Sequence, residues 1–291
     1  MDAGTREQLR RLRDAIDSLA AGVYYAPEAR HAYGRLGLTT TWPGVGPIDA
    51  GGEGYFCSRS ACLGSVEPAA VTAAFGIFPD STVRAALVSG WSKTTPNAIT
   101  QARAHAASTQ LRRVLPDDPE PTPWTEQLWA LSSPLDPAGL PVFAALRSQG
   151  PPDDPWARLW RAADLLREHR AGSHLCAARS EVSTTELVAL TACWFGRDPS
   201  ASLNNLGWLP DTASSVVHEL QEHGLIVGRS LTPAGRQIRE HVETRTDDMQ
   251  KNLAEQLADQ SIEPLLLQLE SWANCFVDTD LAGRGRRVTG T

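Results

Sequence analysis

The densest run of side chains able to do chemistry is Arg167-Glu168-His169-Arg170-Ala171-Gly172-Ser173-His174. On a continuous helix, Arg167, Arg170 and His174 share a face at i, i+3 and i+7. Gly172 is expected to break that helix and bring His174 around. Guanidinium groups so placed suit an anion, which makes Glu168 and Arg170 ligand-binding candidates. An imidazole titrates near neutrality, so His174 and His169 are the catalytic candidates, as acid or base. The same composition also describes an ordinary charged helix C-terminus, where Arg and His meet the negative end of the helix dipole. Sequence leaves both readings open.

A second group is Tyr24, Tyr25, Tyr55 and Arg59, of which Tyr25, Tyr55 and Arg59 are read as ligand-binding. Tyr55 and Arg59 stand ahead of one helical segment much as the 167–174 run stands ahead of another. If the two segments are related by a pseudo-twofold axis, these lead-ins face each other and line a shared cavity. Tyrosine and arginine there suit an aromatic or carboxylate-bearing molecule. The alternative is interface packing. Glu168 with His169 and His174 has no third ligand and no HxxxH spacing, so no metal is expected. Cys57, Cys62, Cys176, Cys193 and Cys275 include no CxxC pair, which argues for isolated thiols rather than zinc. There is no GxSxG or phosphate loop, and Gly44-Val45-Gly46 has no βα unit around it, so no cofactor is expected.

The elements that must position these groups are helical, because few segments alternate with period two. Helices are expected over 6–20, 27–36, near 67–78, 80–88 and 95–114, over 155–169, and over 233–258 and 262–277. Residues 37–54, rich in Gly, Pro and Thr, read as a long loop. Pro116 to Pro121 is a break, and 283–287 is an arginine-rich tail expected to be disordered. One helical face occurs twice: Val71, Ala74, Phe75 and Phe78 recur 116 positions later as Leu187, Leu190, Thr191 and Trp194. A Gly-Trp pair follows each copy, at Gly90-Trp91 and Gly207-Trp208. An internal duplication is the reading.

Within the second copy, Asp211 or Thr212 is expected to cap a helix with Ala213, Val216, Val217 and Leu220 on one face. Gly224 suits a left-handed C-cap. Leu225-Ile226-Val227 reads as a strand, Gly228-Arg229 as a turn, and Leu231-Thr232-Pro233-Ala234-Gly235-Arg236 as the start of the next helix. That order resembles a winged helix-turn-helix of the MarR type. Across the chain, Val23 to Ala29, Gly54 to Arg59, and Leu166 to Arg170 with Gly172 and His174 resemble an actinobacterial group of tandem MarR-like proteins. The resemblance implies a mainly α fold of two tandem winged-helix units with short β wings. It divides the chain into a first repeat with N-terminal helices (1–115), a Pro-rich linker with short helices (116–154), a second repeat (155–232), C-terminal helices (233–279) and a disordered tail (280–291).

Charge bears on what such a fold would do. With 27 Arg and Lys against 34 Asp and Glu, the net charge is −7, whereas duplex binding needs a local basic face. The presumed recognition helix, 211–222, carries Asp211, Glu219 and Glu222 and no Arg or Lys. In the first copy Arg103, Arg112 and Arg113 are the candidate DNA contacts, although Ile99, Ala102 and Ala106 mark a face that packs inside. The expected partner is therefore a small organic ligand, aromatic or carboxylate-bearing, bound between the repeats in the setting of specialised metabolism, with its transformation there without a cofactor left as an open option. A ligand-responsive DNA-binding regulator is the alternative, with DNA disfavoured. A homodimer through the C-terminal helices is a further expectation. No run reaches the roughly 18 apolar residues of a membrane span, and 1–13 lacks the apolar core of a signal peptide, so the expected location is cytoplasmic.

Overall fold

Twenty prolines in a helical chain look contradictory until their positions are seen. Eight of the fifteen α-helices among the described residues begin on proline, at the first helical position, where its missing N–H and fixed φ do no harm. The computed structural model describes residues 1–40, 52–116, 120–259 and 262–276. The expected Gly44-Val45-Gly46 loop and the 283–287 tail lie outside these residues.

The chain opens with α1 (Ala3–Ala21), a 3-10 turn (Gly22–Tyr25), α2 (Pro27–Arg35) and α3 (Gly52–Ser60). A three-helix succession follows: α4 (Pro68–Phe75), α5 (Asp80–Trp91) and α6 (Pro96–Val114). Next come α7 (Thr122–Ser132), α8 (Pro141–Ser148) and the long α9 (Pro155–Ala178). A second succession consists of α10 (Thr184–Trp194), α11 (Pro199–Asn205) and α12 (Pro210–Glu222). It leads into an antiparallel pair, β1 (Ile226–Val227) and β2 (Ser230–Leu231), with Ile226 opposite Leu231 and Val227 opposite Ser230. The chain continues through α13 (Pro233–Met249), α14 (Lys251–Asp259) and α15 (Glu263–Cys275). Among the described residues the protein is thus mainly helical with one small sheet.

The axis of the molecule is α9. Apolar residues on all its sides, including Trp156, Leu159, Trp160, Ala162, Leu165 and Leu166, are buried, the pattern of a helix surrounded by others. It packs against α1, α6, α7, α8 and α13. One large core joins α1–α8, the first half of α9, α14 and α15. A separate core forms inside 184–231 from Leu190, Leu203, Ala213, Leu220, Ile226 and Leu231. A small third cluster, Ala178, Leu187 and Val242, bridges the two.

Several sequence expectations are corrected here. Gly172 does not break α9, which continues nine residues past the expected end at 169. With no Cβ, Gly172 lets the helix lie against Leu140, whose Cδ2 stands 2.7 Å from where a Cβ would be. Helix α12 starts at Pro210 after Leu209 without a side-chain cap, not at Asp211 or Thr212. The expected 233–258 helix is divided at Gln250, which leaves the helical basin at φ −96° and ψ 23°. Helices α7 and α8 fall where short helices are expected within the Pro-rich stretch, and both bury apolar faces in the large core rather than standing apart as a linker. Among the described residues no strand follows α6, so a wing accompanies the second succession alone.

Candidate functional site

Charged side chains on a helix buried all round have to find partners or stay desolvated, and α9 carries five between Arg161 and Arg170. Glu168 receives Arg59 of α3 in a two-pronged pair, Nε to Oε1 and Nη2 to Oε2, both 3.0 Å. Arg167 Nη1 adds a third contact to Oε1 at 2.6 Å. Burial raises the Glu168 carboxyl, but Arg59 and Arg167 outweigh it and hold the group below the usual range. One turn earlier, Asp164 accepts from Arg103 Nη2 of α6 at 3.0 Å. Arg103 also donates to the Tyr24 hydroxyl and, at 3.3 Å, to the Ser58 carbonyl. Asp164 is wholly buried, and burial raises its pKa.

Tyrosines cover this network on one side. Tyr55 receives Arg59 Nη1 on its hydroxyl at 3.2 Å, and its ring sits edge-on to Tyr24 at 5.0 Å. Tyr24, Tyr33, Tyr55, Ala29, Arg30, Thr40 and Gly54 line a cavity of about 10 Å³, enough for about one water. Arg59 also stands 4.2 Å above the ring of Phe75. Sequence reasoning had assigned Tyr55, Arg59 and Glu168 to ligand binding, and these three come together. Tyr25 is half-buried in the 3-10 turn.

The two histidines and Arg170 lie elsewhere, because each residue advances the helix by about 100°. Arg170 and His174 face α13. Arg170 Nη2 lies 2.5 Å from Glu243, which Arg13 and Arg239 also bind at 3.1 and 2.8 Å. His174 Nδ1 is 3.0 Å from the Thr246 hydroxyl, which itself donates to the Val242 carbonyl at 2.7 Å. The imidazole is therefore the donor, with its proton on Nδ1. His169 stands edge-on to Phe143, ring centres 5.0 Å apart, with Nδ1 3.4 Å from Gln250 Nε2. Burial pushes both histidines down to about 4, so both are neutral at pH 7. Neither lines the tyrosine cavity.

Three participants escaped sequence reasoning in this role: Arg103, Arg161 and Asp164. Their signal was the apolar residues on every side of 155–169, which leave no solvent face for Arg161 and Asp164. Arg103 is expected from the sequence to contact DNA; at 4% exposure and paired with Asp164 it cannot reach the backbone of a duplex at the surface. Arg112 and Arg113 are exposed but pair with Asp154 and Glu28. Among the described residues no group of three or more His, Cys, Asp or Glu is placed to hold a metal.

The second succession has the geometry of a helix-turn-helix. The turn 206–209 joins α11 to α12 with Gly207 at φ 95°. Apolar Ala213, Val216 and Leu220 are buried, and Asp211, Ser214, Ser215, His218, Glu219 and Glu222 face outward. Over 184–231 two arginines stand against five carboxylates. The wing residue Arg229 reaches Asp198, ahead of α11, at 3.0 Å. No helix among the described residues is long and apolar enough to cross a membrane.

No curated protein and no solved structure matches the chain. A family model described as a helix-turn-helix family matches residues 9–282. With that match spanning nearly all fifteen helices, and α11, the turn and α12 arranged as they are, the chain belongs to this helix-turn-helix family.

Proposed function

We propose that this protein binds a small organic molecule in the cavity between α2 and α3, beside the charged network of α9, and that its winged unit does not read DNA. One observation carries this reading. A buried Arg–Glu–Tyr network, costly to desolvate and unnecessary for core stability, lies beside a tyrosine-lined cavity. Arg59 precedes the first three-helix succession and Glu168 precedes the second, so the two lead-ins meet as a MarR-like tandem duplication would have them do. Tyr24, Tyr33 and Tyr55 offer ring faces and hydroxyls to an aromatic or polar ligand. At its present volume the cavity takes one water-sized group, so binding entails an outward movement of Tyr55 or Arg30. The neutral histidines 169 and 174 stand away from this cavity, so the proposal is binding rather than catalysis. A homodimer would have to use the outer faces of the C-terminal helices, since Leu265, Leu266, Leu269 and Trp272 of α15 are buried.

Calorimetric titration with a panel of small aromatic acids and their neutral analogues tests the reading. Saturable binding that Tyr24→Phe or Tyr55→Phe weakens is expected. Heat of dilution alone across the panel would sink it.

A ligand-responsive DNA-binding regulator is the second reading. What supports it is the outward face of α12, whose Ser214, Ser215 and His218 can hydrogen-bond to bases. The acidic neighbours on that face oppose it.

A further inference from the structure

Charge inside the network does not balance. Arg59, Arg103 and Arg161 are each at most 7% exposed, and facing them are two equally buried carboxylates, Asp164 and Glu168. Arg167 pairs with Asp17 at the rim, 3.3 Å away. Arg59 takes Glu168 and Arg103 takes Asp164. Arg161 shares the attraction of Asp164, which Arg103 already holds. No carboxylate lies within ion-pair distance of it among the described residues. Its contacts are Gln149 Oε1, 3.2 Å from Nη1, and the ring of Trp160 at 5.4 Å. The Nε atoms of Arg161 and Arg103 are both buried without a hydrogen-bond partner. Arg103 stands directly behind the cavity, since it bonds to the hydroxyl of Tyr24, one of the lining side chains.

A buried cation without a counter-ion is among the costliest features a core can hold, and guanidinium recognises carboxylate and phosphate oxygens well. We infer that the molecule bound in this cavity is an anion, and that Arg103 and Arg161 supply the positive charge that selects its acidic group. The inference rests on the ligand-site reading above and adds the charge class of the ligand and two residues to it. Tyr24 and Tyr55 would flank the organic portion, and the acidic group would enter toward Arg103, leaving the buried cluster neutral.

The test compares sodium benzoate with benzamide, the same ring without the charge, on the full chain at constant ionic strength. Binding is followed by the shift in thermal unfolding midpoint and by calorimetry. The expected result is benzoate affinity about tenfold or more above benzamide, with the difference lost in Arg161→Met. That variant removes the unpaired charge, so its unfolding midpoint without ligand is expected to be no lower than that of the parent. Equal affinity for both compounds would overturn the anion assignment while leaving the ligand site standing. Binding of neither would overturn the ligand-site reading itself. Should Arg161→Met fail to fold, the benzoate-to-benzamide ratio on the unmodified protein decides alone.

Discussion

Arg59 and Glu168 make two parallel contacts at 3.0 Å in a place water does not reach. Removing one partner strands the other. Glu168→Gln is therefore expected to cost about 3–5 kcal/mol, measured by urea unfolding, while Arg59→Met with Glu168→Leu costs much less than the single changes together. A purely additive double variant would mean that the pair is not coupled. The histidines set an acid limit. His169 and His174 have folded-state pKa values of about 4 against 6.5 in the open chain, so the unfolded state binds more protons as pH falls below 6.5. Their contribution is complete above pH 6.5 and is lost on the way down to 4, with about 2 kcal/mol per histidine gone at pH 5. Glu243 and Glu53, held at about 2 by arginine and lysine neighbours against the opposing effect of burial, extend the same trend below pH 4.5. Asp164 and Asp247, raised by burial, oppose it. His174→Gln is expected to flatten the loss between pH 7 and 5, and an unchanged slope would mean that the imidazole charges freely in the fold. Types and spacing made these residues visible in the sequence. Their partners were not visible, because Arg59 and Glu168 are 109 positions apart.

Single atoms decide how neighbouring elements approach. Gly235 brings the first turn of α13 against Leu225, the residue just before β1, and a Cβ there would sit 2.1 Å from the Leu225 carbonyl oxygen. A backbone atom cannot rotate aside, so Gly235→Ala is expected to lower stability by about 1–3 kcal/mol and to loosen the wing, read as faster amide exchange over 225–232. Gly90 is in the same position toward α3, where a Cβ would meet Cys57 Sγ at 2.3 Å. Element positions were largely legible, because periodicity, proline at helix starts and glycine after helix ends are local signals. The left-handed glycine expected at the end of α12 is Gly224, at φ +67° just after the C-cap residue His223. Gly172 was misread because propensity penalises glycine in a helix by only about 1 kcal/mol, and packing against Leu140 outweighs that.

At the scale of the molecule, the two three-helix successions have different fates. In the first, α6 is wedged between α2 and α9 and buries Ile99, Arg103, Ala107 and Leu111. In the second, α12 keeps one face in solvent with its carboxylates outward. Duplex DNA is expected to show little retention even at low salt. Replacing Asp211, Glu219 and Glu222 with glutamine is expected to raise retention, measured by fluorescence anisotropy. Strong salt-dependent binding by the unmodified chain would favour the regulator reading instead.

Local pattern settled the helical class, the acidic outward face of α12 and the short hairpin after it, since each depends on neighbours a few positions away in the chain. Tertiary structure alone decided which charges are buried, which arginine has no counter-ion, and that the histidines face α13 and Phe143 rather than the tyrosines. Those outcomes depend on how α9 is rotated among the helices around it. That rotation is set by the summed packing of all its faces, which no single stretch of sequence encodes.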